Sequence, residues 1–425
     1  MILKPELLLP AGSPEALRIA VTYGADAVYI GGEAYGLRAA AGNFSPSQMA
    51  EGISFAHEHG CRVYVTANIL AHNSDVQEAG SFFETLKILR PDAILISDPG
   101  MFRTARRICP EIDIHISTQA NNVNYETFLF WYDLGVRRLV CGRELSLAEI
   151  SEIRARVPDD MEIEVFVHGA MCISYSGRCL LSNYMTGRDA NRGSCTHPCR
   201  WTYSVVEESR PGEAFPVFEN ERGTFLFSSK DLCMIDHIPD LVHAGIDSFK
   251  IEGRMKSPLY IAAAARAYRQ AIDDWYSDPA LYASRLDSYR SSVSECVHRE
   301  YFTGFFYGKP DQAGQLYDQD AYEQPYVYLG FAEEMTPDGR IRLTQKNKFC
   351  IGDLIEILEH GTENRTARVV QISDETGRQM ESAPHARQIL YIRLADPADG
   401  QTIPVPLYTV LRKAVSSPIR KGSMI

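Results

Sequence analysis

The chain of 425 residues is too long for one small hydrophobic core and fits one large domain plus a smaller one. Hydrophobic residues make up 45% of it and charged residues 23%, which is typical of an ordinary soluble globular protein. The formal net charge of -12 argues against indiscriminate binding to polyanions.

The apolar start of the chain, MILKPELLLP, is too short for a signal peptide or a membrane span. No later stretch reaches about eighteen consecutive apolar residues. We therefore expect a cytoplasmic protein with no membrane partner. In that compartment thiols stay reduced and can bind metal.

Short runs rich in Val, Ile and Leu alternate with amphipathic segments, which is typical of parallel βα units. Helix-start signals lie between these runs, for example Ser45-Pro46-Ser47-Gln48 with capping-box spacing and Ser257-Pro258. The alternation favours an α/β fold with a TIM-barrel-like (β/α)8 domain over residues 1–277. Eight strands are predicted at 7–9, 25–32, 62–68, 93–98, 112–117, 137–142, 162–169 and 247–253.

The sequence changes character after this region. Residues 278–325 are charged and aromatic, and they predict a partly helical connector. From residue 326 to 425 the pattern alternates between polar and apolar residues, with turn signals between the runs. About six short strands in this segment predict a small C-terminal β-barrel domain.

A cysteine-rich insertion lies at about 170–245, between the seventh and eighth predicted strands. Soft thiolates hold iron–sulfur clusters or zinc. Zinc sites usually have cysteines in pairs two to four residues apart, and only the third and fourth cysteines here are so close. The wide spacing favours an iron–sulfur cluster, with zinc, disulfides and inert buried thiols as open alternatives. The spacing is C-x6-C-x15-C-x3-C and then x33 to the fifth, for Cys172, Cys179, Cys195, Cys199 and Cys233.

Polar residues follow the predicted strands at their carboxyl ends, where barrel enzymes place their chemistry. Arg143, Lys250 and Arg254 suit a carboxylate-bearing ligand through charge-assisted hydrogen bonds. Catalytic candidates are Lys250, Glu252 and a proton-transferring His168. The alternatives are structural ion pairs between Glu252 and Lys250 or Arg254, and a structural histidine. The set comprises Asn68, Gln119, Arg143, His168, Lys250, Glu252 and Arg254.

The insertion also carries a local excess of positive charge. Between Cys172 and Trp201 four arginines oppose one aspartate, so 4 − 1 gives +3. Such a patch suits nucleic-acid phosphates or a small anionic co-substrate, and Arg178 is predicted to bind substrate. Alternatively, the arginines offset the negative charge of thiolates and a cluster. The residues are Arg178, Arg188, Arg192 and Arg200 against Asp189.

The pattern E-x-F-x-x-G-A-M-C-x4-G-x-C-x-L-S, from Glu164 to Ser182, resembles the signature of the collagenase-like peptidase family U32. The similarity extends to ELLLPAGSPEAL, KIEGRMKSP, REYFTGFFYG and the β-rich tail, and so covers nearly the whole chain. Members that resemble this chain are implicated in oxygen-independent hydroxylation of tRNA uridine, of ribosomal RNA or of the ubiquinone ring.

The resemblance implies a 4Fe-4S cluster, with ligands falling on Cys172, Cys179, Cys195 and Cys233 and with Cys199 as a rival to Cys195. It also implies tRNA as the partner, prephenate as the hydroxyl donor, and 5-hydroxyuridine at the wobble position as the product. The tail resembles β-barrel domains of translation factors. It favours RNA over a ubiquinone precursor, because the quinone-pathway relatives lack it.

Two other functions stay open. A collagenase-like peptidase is one. The sequence has no G-x-S-x-G motif that would indicate a serine nucleophile and no H-E-x-x-H motif that would indicate a zinc site. The other is a non-catalytic scaffold in which the cluster only stabilises the fold.

Overall fold

The computed structural model describes residues 3–37, 42–172, 174–201, 229–310, 325–361 and 363–415, with the backbone alone at 204–206 and 214–216. Contacts group the chain into two units. The first consists of Met1–Ser13, Ala27–Met255 and Arg299–Gln319. The second consists of Pro14–Asp26, Lys256–His298 and Asp320–Ile425. The predicted domain boundaries after residues 277 and 325 divide the chain into consecutive segments. The two units instead collect segments that are separate in sequence but in contact in space.

Strands and helices alternate along the first part of the chain. The order is β1 (Glu6–Pro10), α1 (Pro14–Thr22), β2 (Ala27–Gly31), α2 (Pro46–Glu58), β3 (Arg62–Ala67), α3 (Asn73–Leu89), β4 (Ala93–Ile96), α4 (Pro99–Ile108), β5 (Asp113–Ile116), α5 (Tyr125–Asp133), β6 (Arg138–Val140), α6 (Leu147–Arg156) and β7 (Glu162–Ala170). Then come α7 (Leu181–Thr186), β8 (Ser204–Val206), β9 (Ala214–Pro216), β10 (Asp231–Cys233), α8 (Ile238–His243) and β11 (Ser248–Ile251).

Eight parallel strands close into a barrel in the first unit. Strands β1 to β7 pair in sequence order, and β11 pairs in parallel with both β7 and β1. The strands are almost wholly buried, which explains their continuous apolar runs. The (β/α)8 prediction is confirmed, and each of the eight predicted runs overlaps a barrel strand. Strand β10 continues the sheet antiparallel to β7 and pairs with β12 (Tyr301–Phe302).

The helices begin where the sequence predicts caps. At α2 the Ser45 hydroxyl accepts from the Gln48 amide at 3.3 Å, and the Gln48 side chain accepts from the Ser45 amide at 3.1 Å. Each partner satisfies a backbone donor that the first turn leaves without an intrahelical acceptor. Local signals of this kind set the alternation that brings all eight strand carboxyl ends to one side of the barrel.

The barrel interior holds a network of buried ion pairs. The Glu6 carboxylate on β1 accepts from Arg138 on β6, from the Tyr64 hydroxyl at 2.7 Å and from the Ser248 hydroxyl at 3.0 Å. Burial raises the pKa of Glu6, but Arg138 and the other partners outweigh burial and hold this pKa below its usual value. Glu6 is therefore a carboxylate that cross-links strands through the barrel interior.

The second unit combines helices with an antiparallel sheet, so the predicted change to antiparallel β structure is confirmed. Arg412 is fully buried there, pairs with Glu295 and Glu356, and lies 3.8 Å from the centre of the Tyr326 ring. None of the helices described in either unit has the length and apolar composition needed to cross a bilayer.

The helices of this unit after α1 are α9 (Pro258–Ser277), α10 (Pro279–Ser284) and α11 (Leu286–Ser294). Its strands are β13 (Tyr326–Phe331), β14 (Glu334–Met335), β15 (Ile341–Thr344), β16 (Phe349–Cys350), β17 (Leu354–Leu358), β18 (Arg365–Asp374), β19 (Ser382–Ala383), β20 (Ile389–Ala395) and β21 (Val410–Ala414). Seven of them form one sheet in the order β13-β21-β17-β18-β20-β15-β14.

Replacing Arg138 tests the interior network. The substitution Arg138→Met leaves the buried Glu6 carboxylate without its main cation, and we expect the free energy of unfolding to fall by about 3–5 kcal/mol. Urea denaturation measures this change. The double variant Glu6→Gln/Arg138→Met removes both charges and should recover part of the loss, while the exposed Arg107→Met serves as control. A change within about 0.5 kcal/mol for Arg138→Met, as is usual at surface sites, would contradict this account.

Candidate active site at the barrel mouth

A cleft opens at the carboxyl ends of the barrel strands. It contains six of the predicted site residues, which come from the ends of four strands, β3, β5, β6 and β11. Their convergence follows from the parallel barrel, because each strand carries its last polar residue to the same face. The lining consists of Tyr29, Leu37, Thr66, Asn68, Leu95, Ser117, Thr118, Gln119, Arg143, Phe166, Lys250, Glu252 and Arg254.

Two cations of the lining sit against aromatic rings. The Lys250 ammonium donates to the Glu164 carboxylate at 2.7 Å and lies 4.6 Å from the centre of the Tyr29 ring. The Arg143 guanidinium lies 4.0 Å from the centre of the Phe166 ring and 3.7 Å from the Glu252 carboxylate. Ring faces attract cations, and so these contacts orient both groups. The cleft therefore presents fixed positive charges to a ligand.

Arg254 holds the loop that follows β2. One guanidinium nitrogen donates to the Leu37 carbonyl at 2.9 Å and to the Thr66 hydroxyl at 3.1 Å, and another donates to the Asn43 side chain at 2.7 Å. A Cβ atom on Gly31 would lie 2.1 Å from this guanidinium, so glycine is required for the close approach. Arg254 lines the cleft as predicted, with most of its hydrogen-bonding capacity used within the protein.

The remaining predicted residues divide between the cleft wall and its surroundings. Asn68 lies in the wall, where its side chain accepts from the Leu37 amide and donates to the Ser117 hydroxyl. Gln119 lies on a single turn after β5 and contributes to the same wall. His168 is buried in β7, where its ring centre lies 5.2 Å from that of Tyr301, and it is outside the described lining. Arg178 is exposed on the cysteine-rich insertion.

The first part of the insertion, residues 172–201, is fastened across this end of the barrel, and we call it the Cys loop. The Ser176 amide donates to Glu144 at 3.1 Å, and the Thr118 and Ser176 hydroxyls are hydrogen bonded at 3.2 Å. A Cβ on Gly177 would lie 2.0 Å from the Gln119 carbonyl oxygen. These contacts place the loop beside residues that line the cleft.

A second set of contacts ties the loop to the end of β3. The Leu70 amide donates to the Asn191 carbonyl at 3.0 Å, and Arg192 pairs with Asp75 at 2.7 Å. The Asn191 side chain in turn donates to the Cys179 carbonyl at 2.7 Å. The loop is therefore anchored at several strand ends, as expected for an insertion that follows β7.

All ten cysteines lie among the described residues, and none forms a disulfide. Burial raises the pKa of the Cys199 thiol; Arg200 opposes this effect, and Cys172, Cys195 and Cys179 add to it. Thiolates are soft ligands, so this residue type suits an iron–sulfur or zinc group. Cys233 lies on β10, opposite His168. No three His, Cys, Asp or Glu side chains in the described part of the chain converge tightly enough to hold a metal ion.

Comparison with known proteins identifies the family. The sequence profile of peptidase family U32 matches residues 12–316, and the profile of the U32 C-terminal domain matches residues 324–404. The chain belongs to peptidase family U32. The resemblance seen in the sequence is thereby confirmed, in both the barrel and the β-rich tail.

Three relatives of this U32 chain have informative names. The tRNA hydroxylation protein P1 of Bacillus subtilis is 41% identical over 392 residues, which is 92% of each chain. The tRNA hydroxylation protein P of Escherichia coli is 38% identical over 90% of this chain and 92% of its own. The 23S rRNA 5-hydroxycytidine C2501 synthase of Escherichia coli is 36% identical over 69% of this chain and 42% of its own.

Some residues of this U32 site escaped prediction. Tyr29 and Phe166 read as ordinary strand residues, because an aromatic on a barrel strand is usually core. Glu164 was noticed only as part of a motif, although it is the partner of Lys250. One signal was available: an acid inside a buried strand is rarely left unpaired, and the nearest buried cation in the same sheet is its natural partner.

The contact between the Cys loop and the barrel can be tested with a pair of glycines. Gly177 and Gly187 have similar positive φ values, 72° and 69°, but only Gly177 approaches another part of the chain. Alanine at either position introduces a similar backbone strain, because both residues have a positive φ. We expect Gly177→Ala, and not Gly187→Ala, to accelerate hydrogen exchange and proteolysis across residues 172–201. Equal protection in the two variants would contradict the docked loop.

Proposed function

We propose that this chain hydroxylates RNA, and that its substrate is a tRNA uridine, converted to 5-hydroxyuridine at the wobble position without dioxygen. The observation that carries the proposal is the similarity to two tRNA hydroxylation proteins over nine tenths of each chain. Similarity of that extent covers both the barrel and the β-rich tail. The 23S rRNA relative supports RNA hydroxylation as the wider class and makes ribosomal RNA the second candidate substrate.

The charge of the cleft supports a small anionic co-substrate. Three cations, Arg143, Lys250 and Arg254, line it against the lining carboxylate Glu252 and the Lys250 partner Glu164, so 3 − 2 gives +1. Carboxylates bound there make charge-assisted hydrogen bonds with fixed donors. We propose prephenate, a dicarboxylate, as this ligand. Replacing C5–H of uridine by C5–OH is a two-electron oxidation, so the donor gives up its hydroxyl group and takes up a hydrogen in its place.

We propose Cys172, Cys179, Cys195 and Cys233 as ligands of a 4Fe-4S cluster, with Cys199 as the alternative to Cys195. When bound, such a cluster supplies one-electron redox chemistry. The protein's own contribution is positional. Lys250 and Arg143 hold the anion, Glu252 lies beside Arg143 as a carboxylate for proton transfer, and the Cys loop lies next to the cleft. His168 stays a candidate for proton transfer, although it is buried in β7 outside the described lining of the cleft.

The geometry gives peptide hydrolysis less support. The described lining contains Thr66, Ser117 and Thr118 but no histidine. The Thr66 hydroxyl accepts from Arg254, and the Ser117 hydroxyl accepts from Asn68, so neither is hydrogen bonded to a base. A serine or threonine hydroxyl needs an adjacent general base to act as a nucleophile.

Nucleoside mass spectrometry tests the proposed function. Transfer RNA and ribosomal RNA from a strain lacking this gene should lose a hydroxylated pyrimidine, and the wild-type chain should restore it. Cys172→Ala and Cys179→Ala should not restore it and should bind less iron when purified without oxygen. Cys350→Ala, a partly exposed cysteine on β16, should behave as wild type. Unchanged nucleosides in the deletion strain, with redundant genes also removed, would reject the proposal.

Replacing Arg143 tests the anion site. Arg143→Gln keeps a polar side chain of similar length but removes the charge, and a hydrogen bond to a charged group contributes about 1.5–3 kcal/mol. We therefore expect kcat/KM for prephenate to fall by about 10-fold to 100-fold. Arg107→Gln, on the outer helix α4, is the control. An unchanged kcat/KM for Arg143→Gln would place the anion elsewhere.

A further inference from the structure

The outer surface of the Cys loop carries apolar side chains in unusual density. Across the described residues 17 large hydrophobic side chains are exposed, and five of them lie between positions 175 and 201. Two are tyrosines, Tyr175 at 67% exposure and Tyr184 at 83%. Concentrations of exposed apolar side chains mark interaction sites, because water contact with them is unfavourable. The five are Tyr175, Leu180, Tyr184, Met185 and Trp201.

The two tyrosines are held in place by the loop's own structure. Tyr175 directly precedes Ser176, whose amide and hydroxyl are bonded to residues at the barrel mouth. Tyr184 lies on α7, on the same side as Leu180 four residues earlier. The buried Ser182 hydroxyl on that helix donates to the Arg188 carbonyl at 2.7 Å and fixes the helix within the loop. Both rings are thus mounted on an anchored segment next to the cleft.

The four arginines of the loop fall into two groups, two that are bonded to other residues and two that are exposed. Arg192 is paired with Asp75, and Arg200 donates to the Met171 carbonyl. Arg178 and Arg188 are exposed, and neither forms an ion pair with any residue that the structure describes. Each of these two lies within four residues of an exposed tyrosine along the chain. The surface therefore combines exposed aromatic rings with uncompensated positive charge.

We propose that unpaired nucleotides of the RNA stack on Tyr175 and Tyr184 while Arg178 and Arg188 hold the adjacent phosphates. This inference rests on the proposed function and assigns the surface that recognises its substrate. Stacking on aromatic rings with arginines along the backbone is how proteins bind single-stranded nucleic acid. A loop of RNA offers such splayed bases, whereas a paired stem does not. The position of the Cys loop beside the cleft brings a nucleotide held there close to the anion site.

The charge of the Cys loop favours RNA over a protein as the partner of this surface. The chain as a whole has a net charge of -12, so a polyanion is repelled by most of its surface. Only a local cationic patch can attract RNA, and on the Cys loop Arg178 and Arg188 supply it, because neither forms an ion pair within the described part of the chain. An apolar protein surface would gain nothing from the two exposed arginines, whose desolvation would be unfavourable.

The test measures binding of the full-length protein to a fluorescein-labelled RNA hairpin with the sequence of a tRNA anticodon stem and loop. Tyr175→Ala and Tyr184→Ala should each weaken binding by about 5-fold to 100-fold, the range measured when a stacked base loses its ring. The phenylalanine variants keep the ring and should bind as wild type. Phe130→Ala removes an exposed ring from α5 and should have no effect.

Salt dependence tests the arginines separately. Arg178→Gln and Arg188→Gln should each reduce the slope of log affinity against log salt by about 0.7, the value for one phosphate contact on a single strand. Arg107→Gln, exposed on α4, should leave the slope unchanged. A fully paired duplex of the same stem should bind more weakly than the hairpin and should not respond to the tyrosine variants.

Wild-type affinity for the hairpin in both alanine variants would overturn the inference, and so would an equal loss of affinity for hairpin and duplex. Unchanged RNA binding together with loss of a copurifying protein in the alanine variants would also overturn it, because the surface would then bind a protein. The proposed function fails independently, when the wild-type chain does not restore the hydroxylated nucleoside. Restoration by wild type and by Tyr175→Ala/Tyr184→Ala alike would leave that function standing and remove this surface.

Discussion

The buried ion network inside the barrel is the constraint on which the site depends. Glu6 on the first strand accepts from Arg138 on the sixth, and Glu164 on the seventh accepts from Lys250 on the last. Arg138 also lies 3.5 Å from Glu164, so the two pairs form one connected set. Buried charges of this kind are tolerated only when each has a partner. The network therefore links strands that are distant in sequence. It also fixes the position of the Lys250 ammonium in the cleft.

The Cys loop shows how a long insertion is given a definite position. A free loop of about thirty residues would lose much conformational entropy whenever a ligand ordered it. Here part of that ordering is already present, because the loop is bonded to Glu144, Thr118 and Leu70 at three strand ends. Gly177 permits the closest of these approaches. These contacts order the segment that carries Cys172, Cys179, Cys195 and Cys199, and none of them involves a sulfur atom.

The sequence could predict what local pattern determines. Buried runs and capped helix starts specify the barrel, and the barrel alone places Asn68, Gln119 and Arg143 around one mouth. It could not predict partners chosen by three-dimensional proximity. Arg254 bonds Asn43, which is 211 positions away, and Lys250 bonds Glu164, where sequence reasoning paired it with its neighbour Glu252. Residues two apart on a strand point to the same face, but a residue on a neighbouring strand can lie closer and become the partner instead.

The cationic side chains of this protein differ in how far neighbouring carboxylates neutralise them, and this difference indicates what each can do. Arg138 and Arg412 are buried with carboxylates and act as cross-links. Arg192 is an anchor, since Asp75 compensates its charge. Arg143 and Lys250 each lie near one carboxylate, and with Arg254 they leave the cleft a net charge of +1. Only uncompensated charge can attract a polyanion, and attraction beyond about 8–10 Å is screened at physiological salt. For the proposed RNA substrate, the acidic body would be repulsive, and the short-range attraction of the Cys-loop arginines would orient it before any nucleotide reached the cleft.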